Sequence, residues 1–491
     1  MTRRRACAAA ARAWAGAALV LLAAASGCRR GTPLGAPASE PAAGPLRVDS
    51  ANPRYFTSGH RAVLLAGAHT WTSLQDAGSS DPPPPFDYDA YLRFLVANGH
   101  NFFRLWMWEQ AEGSTEVVTP YWFAPLPWAR TGPGLALDGK PRFDLTRFDD
   151  AYFRRMRARV QAAGRLGIYV SIMLFDGWSV EPKNRRGGNP WRGHPFNRAN
   201  NVNGIDGDPH HHGEGKETQT LQIPAVTAVQ EAYVRHVVDV VDDLDNVLYE
   251  ISNESDTAST AWEDHMVDVI KRYEAGKPKQ HPVGMSVAWP GGSNAPLYAG
   301  PADWISPNGD ANRPPVGDGR KVVVWDTDHL CGICTPRGFA WKALLSGLNP
   351  LLMDPYTPPD TGMGVPGDYR FNDRLWQRAR RALGYARSLA SRVDLAAMRP
   401  RPDLASSGYC LAHPAGPGAA YLVYAPDRAA LTVDLSQASG RLAVAWLRPD
   451  EGILVAADSV SGGAAHSFRA PFGGDAVLYI HDALAEGTAH D

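Results

Sequence analysis

Residues Ile168-Tyr169-Val170-Ser171-Ile172-Met173-Leu174 form an almost unbroken apolar run. Gly167 and a segment of helical spacing over 148–166 precede it, and the polar and aromatic group Asp176-Gly177-Trp178 follows. A strand buried on both faces reads this way because neither face meets water. Helix, glycine, buried strand and polar end make up one unit of a parallel sheet.

The pattern recurs outward from that stretch in both directions. Strand-like runs lie at 62–68, 101–106, 168–174, 247–251, 282–287, 304–306, 321–325 and 350–353. Helical spacing lies at 87–97, 148–166, 225–244, 262–275, 338–348 and 373–393. Eight strands in alternation with helices over about 350 residues predict an α/β fold, a (β/α)8 TIM barrel spanning 46–398. The segments after strands five and six are short and rich in Pro and Gly, so those helices should be reduced. No glycine-rich phosphate fingerprint follows the first strand, which argues against an open doubly wound sheet. From about Arg399 the chain breaks into short β-type runs at 409–412, 420–424, 431–435, 442–447, 453–456, 467–470 and 476–480. These predict a small all-β sandwich domain over 399–491. No row of surface aromatics accompanies it, so its expected role is structural.

The N-terminus reads as an address. Residues 1–28 combine Met-Thr-Arg-Arg-Arg, an Ala-rich apolar stretch and the close Ala25-Ser26-Gly27-Cys28, the form of an export signal. The tetrad resembles the bacterial lipobox, although Ala25 replaces the usual Leu. It predicts lipidation at Cys28 and an exported lipoprotein held in the bacterial cell envelope by its lipid anchor alone; the alternative is a cleaved signal with an incidental cysteine. Residues 29–45 read as a flexible Pro/Ala/Gly linker, and no second apolar run approaches the ~20 residues of a spanning helix. Cys331-Gly-Ile-Cys334 could close a local disulfide or remain a thiol pair; its place deep in the chain argues against a thioredoxin-like role.

Composition narrows the partners. The 491 residues carry 49 Lys+Arg and 51 Asp+Glu, a net charge of −2, which leaves no field to steer nucleic acid. A hydrophobic content of 44% excludes general disorder, and 15 Trp are a large stock of flat aromatic surface.

Chemistry in such a barrel collects at the C-terminal strand ends. There the sequence places His69-Thr70-Trp71, Arg104-Leu105-Trp106-Met107-Trp108-Glu109, Asp176-Gly177-Trp178, Glu250-Ile251-Ser252-Asn253-Glu254, Trp289, Asn308-Gly309-Asp310, Asp326-Thr327-Asp328-His329 and Asp354-Pro355-Tyr356. Carboxylates on strands four and seven face each other across the mouth, as cleavage of a glycosidic bond requires. Trp71, Trp106, Trp108, Trp178, Trp289 and Trp325 fall at or just after strand ends, where rings can stack on the C–H face of a sugar.

The run Asn246-Val-Leu-Tyr-Glu-Ile-Ser-Asn253-Glu254 resembles the strand-four signature of the retaining, cellulase-like clan of glycoside hydrolases, and Phe102-Phe103-Arg104 resembles its strand-two motif. More narrowly, Asn52-Pro-Arg-Tyr-Phe56, Gly67-Ala-His69-Thr-Trp71, His194-Pro-Phe-Asn197, Asn200-Asn-Val-Asn203 and Asp326-Thr-Asp328-His329 together resemble bacterial apiosidase-like barrels, which carry a C-terminal β-domain named for collagen binding. The resemblance implies Glu254 as general acid/base, Asn253 on a sugar hydroxyl, and Arg104 beside the nucleophile. Where the clan has Glu, this chain offers Asp326 and Asp328; Asp326 is preferred because it directly follows the apolar run. His69, Trp71, Arg104, Trp106, Trp108, Asp176, Trp178, Asn253, Trp289, His329 and Tyr356 are the expected substrate contacts, and carbohydrate is the expected partner. A barrel that binds carbohydrate without turnover, or an adhesin working through its C-terminal domain, are the rival functions.

Other groups have simpler readings. Glu250, deeper on the face of Glu254, reads as a buried ion-pair partner. Asp326-Thr-Asp328-His329 could be read as metal ligands, but a full site needs three or more ligands in fixed geometry, and no metal or cofactor is assigned. Asp206-Gly-Asp208-Pro-His210-His-His212 reads as a solvated loop that could alternatively hold Ca²⁺ or a transition metal. Trp262, Trp341 and Trp376 sit in helical segments and should pack. The oligomeric state is not legible.

Overall fold

The computed structural model describes residues 31–35, 40–113, 121–181, 183, 188–356, 374–428 and 430–483. The export signal with Cys28 lies outside these residues.

Eight parallel strands close into the expected barrel: β1 (Gly67–His69), β2 (Phe102–Leu105), β3 (Tyr169–Asp176), β4 (Val247–Asn253), β5 (Val283–Ser286), β6 (Trp304–Ser306), β7 (Val322–Asp326) and β8 (Asn349–Met353). β3 and β4 are buried along their whole length, which is why they read as continuous apolar runs. The first strand departs from expectation. Arg61–Val63 belongs instead to an antiparallel meander with Arg47–Val48 and Phe56–Ser58, and the barrel strand begins at Gly67. Leu46 and Phe56 pack with Phe102, Tyr169, Leu248, Trp304 and Val322, at or next to the first positions of their strands. Apolar side chains thus plug the N-terminal end of the barrel and leave polar chemistry to the other end.

The wall is built from α1 (Tyr88–Ala97), α2 (Asp150–Gly164), α3 (Pro224–Val241), α4 (Thr260–Glu274), α5 (Ala295–Ala299), α6 (Asp328–Cys331), α7 (Phe339–Leu345) and α8 (Arg374–Ala390). Asp87 and Asp149 cap α1 and α2 by accepting from Ala90 N–H and Ala151 N–H, and Pro224 opens α3 where no N–H is needed. α5 has five residues and no α-helix separates β6 from β7, in line with the Pro/Gly-rich sequence there. Trp262, Trp341 and Trp376 are buried packing groups.

The long β2–α2 connection folds into a hairpin of Trp128–Leu135 with Pro141–Phe148. The asparagine-rich motif after β3 is its staple. Asn200 Oδ1 accepts from Leu137 N–H at 2.9 Å and Asn203 Oδ1 from Leu145 N–H at 2.8 Å, while Asn200 and Asn201 donate to carbonyls of their own loop.

In the C-terminal domain, strands at 399–400, 410–413, 420–425, 441–448, 453–461 and 476–482 form one sheet, and 431–434 pairs with 465–468 in a second. Along 420–425 the side chains alternate. Tyr421 and Val423 enter the sandwich core, whereas Leu422 and Tyr424 join the core of the barrel. The large sheet is therefore covered on both faces, by the small sheet and by the barrel, and the domain braces the barrel's side.

The linker is not free along its whole length. Thr32–Pro33 adds an edge strand to the large C-terminal sheet beside Ile453 and Leu454. Leu34 is buried, and Ser388 Oγ donates to the carbonyls of Leu34 and Gly35. One leucine in a Pro/Ala/Gly background left no periodicity to read. No helix among the described residues is long and apolar enough to cross a membrane. Cys331, the last residue of α6, is joined to Cys334 as a disulfide, and Cys410 is a buried free thiol.

Candidate active site

Arg104, at the end of β2, is the hub of the barrel mouth. Its Nε and Nη2 donate to Glu250 Oε2 and Oε1 at 2.8 and 2.7 Å, a bidentate pair that makes Glu250 the ion-pair partner its depth implied. Nη2 also donates to Asn253 Oδ1 at 2.8 Å, and Nη1 to Asp328 Oδ2 at 2.9 Å and Asp326 Oδ2 at 3.3 Å. One buried guanidinium thereby gathers the ends of β2, β4 and β7.

Asp326 is fully buried. Its Oδ1 lies 3.0 Å from His69 Nε2 and accepts the Asp328 backbone N–H at 3.0 Å. Burial works to raise its pKa, but attraction and hydrogen bonding from His69, together with Arg104, hold it well below the usual carboxylate range. The neighbouring strands supply this geometry, since β8 pairs with both β7 and β1 and brings His69 within reach.

Glu254 stands in the opposite environment. Burial first, and then the charge of Asp328, push its pKa well above the ordinary range, against the pull of a hydrogen bond from Trp178 Nε1 to Oε2 at 2.6 Å. Its backbone is in the left-handed region, with φ of 47°, a conformation that non-glycine residues hold only where surroundings enforce it. Here the Ser286 hydroxyl accepts Glu254 N–H and donates to the Ser252 carbonyl. Gly177 lies so close that a Cβ there would stand 2.3 Å from the Glu254 carbonyl oxygen.

Asn253, Asp176 and His329 form the layer beneath. Asn253 is fully buried; its Oδ1 accepts from Arg104 and from His329 Nε2 at 3.1 Å, and its Nδ2 donates to Asp176 Oδ1 at 3.3 Å. Because Asn253 Oδ1 only accepts, His329 Nε2 carries the hydrogen, and Nδ1 faces Ser306 Oγ at 2.7 Å. Burial lowers the His329 pKa to about 4, consistent with that neutral tautomer. Burial likewise raises Asp176 to about 7, with hydrogen bonds from Trp178 N–H and others opposing and the charge of Glu109 adding to it.

The structure thus brings Glu254, Asp326, Asp328, Arg104, Asn253, His69, His329, Asp176 and Trp178 into one connected group, but several roles differ from expectation. His69, Asn253 and Asp176 are enclosed side chains that hold other side chains, not open sugar contacts. Trp106 is buried against His69, with ring centroids 5.6 Å apart and planes 7° apart. Trp108 packs on Phe123 and donates its Nε1 to the Trp71 carbonyl, and Trp71 and Trp325 are buried too. Tyr356 packs on Phe94 and Tyr91 of α1. Of the six expected platforms, Trp178 and Trp289 remain: they stack at 5.2 Å and 13°, and Trp289 is 37% exposed. The reason is general, since a large ring beside an apolar strand end finds a packing partner before it finds solvent.

Sequence reasoning missed Ser286 and Ser306, single hydroxyls inside short strands, for which no local signal exists. Glu109 and His194 stand in motifs legible in the sequence but carry no role there. Glu109, fully buried, accepts Asp176 N–H and Gln219 Nε2 on Oε1, and faces His194 Nε2 at 3.2 Å on Oε2.

His69, Asp326 and Asp328 present ligand atoms within 4.8 Å of one another. Arg104 Nη1 bonds both carboxylates, however, and places fixed positive charge where a cation would sit. The arrangement suits a proton donor opposite carboxylates held by a guanidinium better than a metal.

A family described as a domain of unknown function, DUF6298, matches residues 111–289, a stretch that includes Glu254 and stops short of Asp326. No curated protein matches the chain. Among solved structures, one described as a glycoside hydrolase is 15% identical with a TM-score of 0.58, covering 90% of this chain and 97% of its own. A glycoside hydrolase family 5 structure from Bacteroides vulgatus ATCC 8482 is 14% identical with a TM-score of 0.59, covering 91% and 96%. At such identity the likeness establishes a shared fold, a TIM barrel of the kind found in glycoside hydrolases.

Proposed function

We propose that this chain is a glycoside hydrolase that cleaves glycosidic bonds in the side chains of plant or microbial polysaccharides with two carboxyl groups. The observation that carries the reading is the divergence of environments: burial and the charge of Asp328 push the Glu254 carboxyl toward its protonated form, while Arg104 donates to the Asp326 and Asp328 carboxylates opposite it. Pairs of carboxyls pushed apart in this way divide the labour of acid and base.

In this mechanism the Glu254 carboxyl gives its proton to the glycosidic oxygen as the bond to the anomeric carbon breaks. A carboxylate on the other side attacks that carbon and forms a glycosyl ester. Glu254, now a carboxylate, takes a proton from water, which displaces the ester and completes a retaining reaction. Asp328 fits the attacking role better than Asp326. Both Asp326 oxygens are engaged and its side chain is wholly enclosed, whereas Asp328 keeps 7% of its side chain exposed and is the carboxylate whose charge acts on Glu254. Trp178 and Trp289 would stack the sugar next to the acid. The motif resemblance supports a branch sugar of the apiose type, and the export pattern supports a lipoprotein anchored through Cys28.

Digestion of a glycan panel with product analysis tests the assignment. Wild type should release sugar, and Glu254→Gln should release none while its circular dichroism and thermal midpoint stay unchanged. Full activity in that variant would remove Glu254 from the mechanism. Binding without release by wild type would favour a carbohydrate-binding protein.

A further inference from the structure

The connection between β3 and α3 carries Asp208-Pro-His210-His211-His212, and its folded form converges on one point. His211 takes φ of 57°, in the left-handed region. The flanking His210 and His212 stack with ring centroids 5.6 Å apart and planes 20° apart. Both turn Nδ1 toward the same atom, Glu217 Oε1, at 3.1 and 3.5 Å. Asp208 is buried, and its carboxylate is oriented by the backbone N–H groups of His212 and Gly213 at 2.9 and 2.6 Å. Ligand atoms of Asp208, His212 and Glu217 all lie within 4.8 Å of one another. His210, His212 and Glu217 line a cleft of about 300 Å³.

Tetrahedral zinc with bonds of about 2.0–2.2 Å sets its ligand atoms about 3.3–3.6 Å apart, and the two His–Glu separations lie close to that spacing. A single hydrogen-bonded pair would account for one imidazole; two imidazoles on Glu217 Oε1, with the Asp208 carboxylate within 4.8 Å of His212 and Glu217, supply the donor set of a borderline-soft divalent ion. The adjacent cation, Lys216, is drawn to Glu181 at 2.7 Å and Glu214 at 3.2 Å. Among the described residues no guanidinium bonds this cluster, in contrast to the carboxylates held by Arg104.

We propose that Asp208, His210, His212 and Glu217 bind one divalent transition-metal ion of the zinc type. The ion fastens this loop to the short helix Lys216–Gln219, whose Gln219 donates to Glu109 beneath the barrel mouth. Its role is to brace the rim, and the inference stands apart from the glycosidase reading.

The test uses tag-free chain, stripped with chelator, dialysed and titrated with zinc chloride by calorimetry and by thermal unfolding. One ion per chain should bind, with a dissociation constant in the micromolar range or below, and raise the thermal midpoint by several degrees. Both histidines are more than half exposed, so His212→Ala should fold as wild type without metal, by circular dichroism, and bind zinc at least about tenfold more weakly. Glu217→Gln should do the same, and His210→Ala should lose less. Absence of stoichiometric zinc binding, unchanged affinity in His212→Ala and Glu217→Gln, or calcium binding in place of zinc would each overturn the proposal.

Discussion

Asp176→Asn isolates the layer that positions Asn253. Burial raises the Asp176 carboxyl to about 7 from its ordinary 3.8. Between those values the folded chain holds a proton that the unfolded chain releases. Its contribution is therefore full below about 4 and is lost as pH rises toward 7. Asparagine keeps the neutral shape: its oxygen can accept from Asn253 Nδ2, and its amide can donate to Ser179 Oγ, which lies 3.1 Å from Asp176 Oδ2. One amide hydrogen is left over, at a fixed cost of about 1 kcal/mol. The stability difference between wild type and variant should then shift with pH in favour of asparagine, at about 1.4 kcal/mol per pH unit, or roughly 2 kcal/mol between pH 5 and 6.5. Urea unfolding followed by tryptophan fluorescence at several pH values measures it. A difference that stays flat over that interval would show that Asp176 is already ionised, and the burial argument for the whole layer would fail with it.

Gly177→Ala forces a Cβ against the Glu254 carbonyl; it should cost about 1–3 kcal/mol and reduce kcat on the panel substrate, whereas wild-type kinetics would show that the approach is relaxed. Trp289→Ala removes the exposed ring of the stacked pair and should raise KM about tenfold with kcat nearly unchanged and stability intact; a fall in kcat alone would assign the ring to another task. In the pH–rate profile, the alkaline limb should follow deprotonation of Glu254 and lie well above the ordinary carboxylate range, with Asp326→Asn leaving that limb in place because Asp328 is the group acting on Glu254.

Much of the fold was legible because the signals are local. A strand covered on both faces needs apolar residues at every position, and a helix against it needs them every three to four residues, so eight strands and six helical segments could be counted directly. The carboxylates were legible too, since barrel topology sends strand-end residues to one mouth. Ser286, which steadies the Glu254 backbone, and Ser306, which faces His329, were not, because their partners lie on other strands. Leu34 escaped notice for the same reason: its burial depends on a sheet edge more than 400 residues away.

The barrel, the sandwich behind it and the set of polar groups at the mouth all follow from periodicity and topology. Which of those groups face solvent and which face one another is set by folding. It placed Trp106 on His69, closed Asn253 between Arg104 and Asp176, and separated the enclosed Asp326 from the less enclosed Asp328. Charge and exposure are properties of distance. A carboxyl written into a sequence becomes an acid or an ionised base only when the fold sets what stands within a few ångströms of it.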